Sequence, residues 1–314
     1  MTSSAPPTSG HRPRRRSATV LRTGLGTVLG LTAAALVAVL VPLHWAQDTL
    51  VSKDGFTQVV GTLAEDEPFQ EELARTAVDQ AAERIVGERA TGVGFLDRML
   101  ENAVRRAADV AAGLTSDPAY QRAWTESLAR THEANVPAEG AADAPPQHLV
   151  LDIGPVLQEV DAAVQRAVGV DVGLADREST ITVPGSNTGR LIAAGTRLTD
   201  LAVPLTWVAA ALAVLALLVT RHRLATLAVL GLGSLAGLGV VWLVVEESVQ
   251  RASGVLGSDP VVRLAADRVL TLLTGSLGEH MATAAWAAGI TGVVGLVGAI
   301  AVSGGSRRGV RPTA

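Results

Sequence analysis

Four stretches of the chain carry no Asp, Glu, Lys or Arg: residues 23–43, 201–220, 224–245 and 281–303. As helices rising about 1.5 Å per residue, each is long enough to cross roughly 30 Å of hydrocarbon. A charge at mid-bilayer costs roughly 2.5–3.5 kcal/mol on insertion scales, so charge-free runs of this length are what lipid-facing helices require. Only Arg221-His222-Arg223 separates the second run from the third, which makes these two a hairpin closed by a basic turn.

Between the first two runs the pattern changes to a helical alternation of apolar and polar positions. From Pro68, one stripe at i+4 spacing holds Phe69, Leu73, Ala77, Ala81 and Ile85; a second helix, 95–114, places Phe95, Met99, Ala103, Ala107 and Ala111 on one face. A third starts after Ser116-Asp117-Pro118 and aligns Tyr120, Trp124, Leu128 and His132. Glu67-Pro68, Asp117-Pro118 and Asp259-Pro260 each set an acid before a proline. The acid can cap free amides, and proline at the first helical position loses no hydrogen bond.

Residues 136–147 read as a linker. Residues 148–153 and 179–183 read as short strands around a helix at 155–168, and a two-stranded ribbon needs a helix to pack on. From about Gly189 the pattern turns helical again and is expected to continue into the second span. Residues 260–277 are amphipathic, with Val261, Leu264, Val269, Leu272 and Leu273 opposite Arg263, Asp267 and Arg268. The polar face is not enriched in bases, so packing under the larger domain is expected over lying on the bilayer.

The expected fold is an all-α membrane protein with four transmembrane helices and a mostly helical extracytoplasmic domain, 44–200, holding at most a small two-stranded ribbon. Around these stand a disordered basic arm (1–22), a cytoplasmic turn (221–223), an outer loop with an amphipathic helix (246–280) and a cytoplasmic tail (304–314). Charge sets the orientation. The arm, turn and tail hold ten basic residues and no acid, while all 30 acids lie in 44–200 and 246–280. Basic short loops stay in the cytoplasm, which places both termini inside, in the plasma membrane. Trp45, Trp207, Trp242 and Trp286 fall near the outer ends of the spans, where an interfacial belt belongs. The first run is 21 residues long and no small-x-small site follows Leu43, so it reads as an uncleaved anchor. Arg15-Arg16 lacks the bulky apolar pair of a twin-arginine signal.

Chemistry is sparse. The chain has no cysteine, hence no disulfide and no thiolate metal site. Lysine occurs once against 25 arginines, which reads as codon bias, and the arginine-rich arm is a topological signal with no nucleic-acid partner. The spans hold no ionisable residue and therefore no proton relay, which argues against a transporter or channel. Gly26/Gly30, Gly233/Gly237 and Gly289/Gly292/Gly295/Gly298 are spaced to let helices approach closely within the bundle. The six histidines form no ligand pair, and no nucleophile elbow, Walker loop or dinucleotide fingerprint occurs. Gly185-Ser186-Asn187-Thr188-Gly189 is a loop without the lysine of a phosphate cradle. No catalytic, metal or cofactor residue is assigned and no cofactor is expected. The candidates for a role in the outer domain are Trp124, Arg130, His132 and Asp152, with His132 read as a partly buried, hydrogen-bonded residue before a ligand or base.

Asp48-Thr49-Leu50-Val51, Phe56, Leu63-Ala64-Glu65-Asp66, the segment Tyr120-Gln121-Arg122-Ala123-Trp124 continuing to Arg130 and His132-Glu133, and residues 149–156 carry a resemblance. Over residues 20–245 the chain resembles a family of uncharacterised actinobacterial integral membrane proteins. That family pattern has Asn before the arginine and Ala before the histidine, where this chain has Ala129 and Thr131. The resemblance implies the same architecture and localisation, and no particular activity. The expected function is a non-enzymatic membrane protein presenting its outer domain for interaction, sensing or assembly in the envelope, with the lipid bilayer and an envelope or membrane protein as partners. The alternative is an envelope enzyme or accessory subunit with a site dispersed over that domain.

Overall fold

The computed structural model describes residues 14–76, 113–136, 148–168, 179–183, 188–253 and 260–305. Most of the expected helix at 95–114, most of the 136–147 linker, the 184–187 loop, the Asp259 cap, residues 1–13 and the tail from 306 lie outside the described residues.

In chain order, α1 (Arg14–Ala46) runs into one π-helical turn, Gln47–Val51, followed by α2 (Lys53–Val60) and a 3-10 turn, Gly61–Ala64. Helix α3 is described over 67–76. Then come α4 (Pro118–Asn135), β1 (Leu149–Asp152), α5 (Gly154–Val168), β2 (Thr180–Val183), α6 (Thr188–Thr199), α7 (Ala202–Val219), α8 (Arg223–Ser253) and α9 (Pro260–Gly305). Four helices, α1, α7, α8 and α9, are long and apolar enough to cross a membrane.

Helix α8 runs to Ser253, past the expected span end at 245, and three further boundaries differ from the sequence reading. Helix α1 starts at Arg14, so residues 14–22 are helical where a disordered arm was expected. Arginine is a good helix former, and nothing between Arg14 and the apolar run breaks the helix. Helix α9 is continuous over 46 residues, where the sequence suggested an amphipathic helix and a separate span. Gly275 and Gly278 lie at the expected junction, but a glycine costs only about 1 kcal/mol inside a helix and no proline interrupts it. Between α6 and α7 the chain makes a two-residue turn at Asp200-Leu201. Pro204 accounts for it, because its ring excludes the carbonyl four residues back from a helical position.

The chain divides into two compact units: Met1–Val41 with Ala202–Leu243 and Met281–Ala314, and Pro42–Leu201 with Val244–His280. In the first unit the buried apolar residues are seven alanines with Leu40, Leu238 and Met281, while Val28, Leu218, Leu243, Trp286 and Val302 are at least 60% exposed. Small residues inside and large apolar ones outside is the reverse of a water-soluble core and suits helices solvated by lipid.

Glycine makes that small interior possible. A Cβ on Gly231 would lie 2.2 Å from the Gly292 amide nitrogen, and one on Gly295 would lie 2.3 Å from that of Ala228, so α8 and α9 touch backbone to backbone. On another side of α8, Gly233 and Gly237 receive the Ala34 and Ala38 methyls of α1 at 3.0 and 2.7 Å from their Cβ positions. The spaced glycines thus serve packing within the chain, except Gly289, which has open space where its Cβ would be.

The second unit has the opposite construction. Val60, Leu63 and Phe69 form its core, flanked by Phe56, Leu73, Trp124 and Leu128, and by Leu264, Val269, Leu272 and Leu273 from α9. The amphipathic stretch of α9 therefore packs its apolar stripe on the helices after the first span. Strands β1 and β2 pair antiparallel with Leu149 opposite Val183 and Asp152 opposite Thr180, and α4 packs against both α5 and β1.

Candidate functional site

Helix α4 organises the candidate residues, and its start follows from the sequence. Asp117 accepts a hydrogen bond from the Ala119 amide at 2.8 Å, with Pro118 at the first helical position. The equivalent start of α3 is shifted by one residue. There the cap is Asp66, whose Oδ1 accepts from the Phe69 amide at 3.2 Å, and not Glu67. Asp66 also accepts from both Nε and Nη2 of Arg268, 202 residues away. The Arg268 guanidinium holds the Asp66 carboxyl below the usual carboxylate range.

His132 is 7% exposed. Its Nε2–H donates to the Leu50 carbonyl at 2.9 Å, and its ring lies 5.1 Å from that of Phe56. Leu50 belongs to the π turn, and α2 folds back so closely there that a Cβ on Gly55 would lie 1.7 Å from the Asp48 carbonyl oxygen. The histidine thus fastens α4 to the reversal of chain between α1 and α2. Asp48 and Phe56, which carried part of the family resemblance, are both parts of this reversal.

The other three candidates have separate partners. Arg130 is exposed and pairs with Glu126 one turn earlier at 2.5 Å. Trp124 packs on the Val60-Leu63-Phe69 core, but its indole Nε1 is buried without a hydrogen-bond partner, as is the nearby Ser127 hydroxyl. Asp152 uses Oδ1 to accept from the Gly154 amide at 2.9 Å, tying down the start of α5. Among the described residues no hydrogen bond or ion pair joins any of the four to another. Among the described residues no group of three or more His, Asp or Glu gathers in metal-binding geometry.

Two arrangements escaped the sequence reading. Asn135, the last residue of α4, donates from Nδ2 to the Thr131 and Val150 carbonyls, both at 2.6 Å, and accepts from the Val150 amide at 2.9 Å. Thr131 Oγ1 accepts from the Asp152 amide at 3.0 Å. Alternate residues of β1 thereby bond to α4 while the intervening ones face β2, as the two-residue period of a strand requires. Thr131 thus helps to hold the ribbon on α4. The second arrangement is a buried polar chain: the Tyr120 hydroxyl donates to Gln70 Oε1 at 3.2 Å, and Gln70 Nε2 donates to the Leu63 carbonyl at 2.7 Å. Burial pushes the Tyr120 hydroxyl up to about 12. Neither glutamine nor tyrosine has a sequence signature for such a role.

Among the described residues of the second unit, an open cleft of about 560 Å³ lies between α2 and α4. Lys53, Thr57 and Glu65 line one side, and Gln121, Arg122, Thr125 and Glu126 the other. At its edge Lys53 Nζ pairs with Glu133 at 2.5 Å, and this bond raises the lysine pKa and lowers the glutamate's. The walls carry two cations, two carboxylates, one amide and two threonine hydroxyls among Gly61, Ala64, Pro118 and Ala129. No protein-family model, curated protein or solved structure matches this chain.

Proposed function

We propose that this is a multi-pass plasma-membrane protein that presents its second unit outside the cell, as a helical module for interaction, sensing or assembly in the envelope. One observation carries the reading: the spatial division coincides with the charge division. The unit built from the apolar helices contains ten basic residues and no acid, and the other contains all 30 acids. An all-basic unit belongs with the cytoplasmic end of its spans, which sends the acid-bearing unit to the other side.

Within that module, His132 and Asp152 hold backbone segments in place, while the α2–α4 cleft is open to solvent and lined by polar side chains from both helices. The module therefore acts by contact. A photo-crosslinking amino acid at Gln121 or Thr125 in the intact protein should give one discrete adduct in whole cells. The same probe at Arg75, exposed on α3, should give none. Equal adduct patterns at all three positions would overturn the proposal.

A further inference from the structure

The first unit holds a second cleft, of about 530 Å³, lined by Arg22, Leu218, Val219, Thr220, Arg221 and Arg223. Its assembly can be traced residue by residue. The Thr220 hydroxyl donates to the Ala216 carbonyl at 2.7 Å and accepts from the Thr226 hydroxyl at 2.8 Å, which closes the turn between α7 and α8. Gly26 lets α1 approach that turn: a Cβ there would lie 2.1 Å from Thr220 Cγ2. Arg22 is one helical turn before Gly26, and this close approach brings it beside Arg221 and Arg223.

Three guanidinium groups thus share one cleft, and none of them has an ion pair or hydrogen bond among the described residues. The unit contains no carboxylate that could neutralise them. Three like charges lining one cleft repel one another less when an anion sits among them, and arginine forks match phosphate oxygens in pairs. The cleft also lies at the start of α8, where free amides and the helix dipole favour a negative group. Two features select a lipid over a free ion. The lining continues into Leu218 and Val219, and Leu218 is 68% exposed, a surface that an acyl chain can follow.

We propose that this cleft binds the phosphate of an anionic phospholipid headgroup. The full-length protein in neutral detergent, titrated with phosphatidylglycerol and phosphatidylcholine and read by native mass spectrometry, tests it. The wild type should retain phosphatidylglycerol selectively, and R221Q/R223Q should bind it roughly 25-fold more weakly, at about five-fold per arginine. R221K/R223K keeps the charge, and with it the membrane orientation, but loses the planar forks; it should lose several-fold and separates a built site from diffuse attraction. Equal retention of the two lipids would overturn the proposal, as would unchanged affinity in the lysine variant. Displacement of phosphatidylglycerol by an equal concentration of inorganic phosphate would overturn the choice of lipid as the source of the phosphate.

Discussion

Asn135 makes three hydrogen bonds with one side-chain amide, and two of them go to the Val150 backbone. Removing the amide leaves a peptide N–H and a carbonyl of β1 without partners, at a cost of about 1–3 kcal/mol. Arg130 differs: its pair with Glu126 is half-exposed, and exposed i,i+4 pairs contribute about 0.3–0.5 kcal/mol. Asn135→Ala should therefore lower the denaturant midpoint clearly and Arg130→Ala hardly at all. A loss of phenotype in Arg130→Ala with an unchanged midpoint would return that residue to the list of functional groups. Asp66 supports a second residue-scale prediction, on pH. Its folded pKa is depressed by Arg268, so its contribution to stability is complete above the ordinary carboxylate range and disappears as pH falls through the depressed value. Asp66→Asn keeps an oxygen for the Phe69 amide but removes the charge, and should flatten the acid limb of the unfolding profile. Arg268 is 45% exposed, which keeps the effect at or below about 1 kcal/mol. A residual slope is expected from Glu133, which Lys53 shifts in the same direction.

Helix α8 turns glycines to two neighbours, Gly231 to α9 and Gly233 and Gly237 to α1. Gly231 meets the Gly292 backbone, where no flexible side chain can give way, whereas a Cβ on Gly289 has nothing within 4 Å. Gly231→Leu should thus destabilise the bundle by at least the 1–3 kcal/mol typical of overpacking, and Gly289→Ala should be silent or slightly stabilising. Thermal melts of the two variants in detergent check the contrast, and equal melting would mean that the α8–α9 contact is not tight. The sequence announces these helices, because absence of charge over some 20 residues is a one-dimensional property that lipid demands directly. It also shows that glycines recur, but not which face meets which neighbour, since that depends on three-dimensional pairing. For the same reason the α9 junction was legible as composition and not as geometry: an amphipathic stretch and an apolar stretch differ in solvent, yet both are helical. The polar site was least legible. Trp124, Arg130, His132 and Asp152 drew attention as chemically capable residue types, and each has a local structural partner or packs in the core. Asn135 and Gln70, which do the connecting, belong to types found on any surface.

At the scale of the whole molecule, charge carries more information than any motif. Ten basic residues and no acid fall in the unit with the apolar helices, although that unit is drawn from three separate parts of the sequence. A division by spatial contact has no reason to follow charge unless both obey the same boundary, and a membrane supplies one. The positive-inside rule then predicts the side of each segment: residue 222, between Arg221 and Arg223, faces the cytoplasm, and residue 140 faces outward. Paired fusions at these positions, with one reporter active only in the cytoplasm and one only outside it, should give opposite signals. Matching signals would break the link between charge and location. The turn also permits a stricter version of the test. Arg221→Glu/Arg223→Glu reverses the two charges at the hairpin while Arg12, Arg14, Arg15, Arg16 and Arg22 still hold α1. The reporter at residue 140 should keep its outward signal, because the five arginines before the first span outweigh two at the turn. Inversion of both reporters would instead assign control of the whole topology to three residues between α7 and α8.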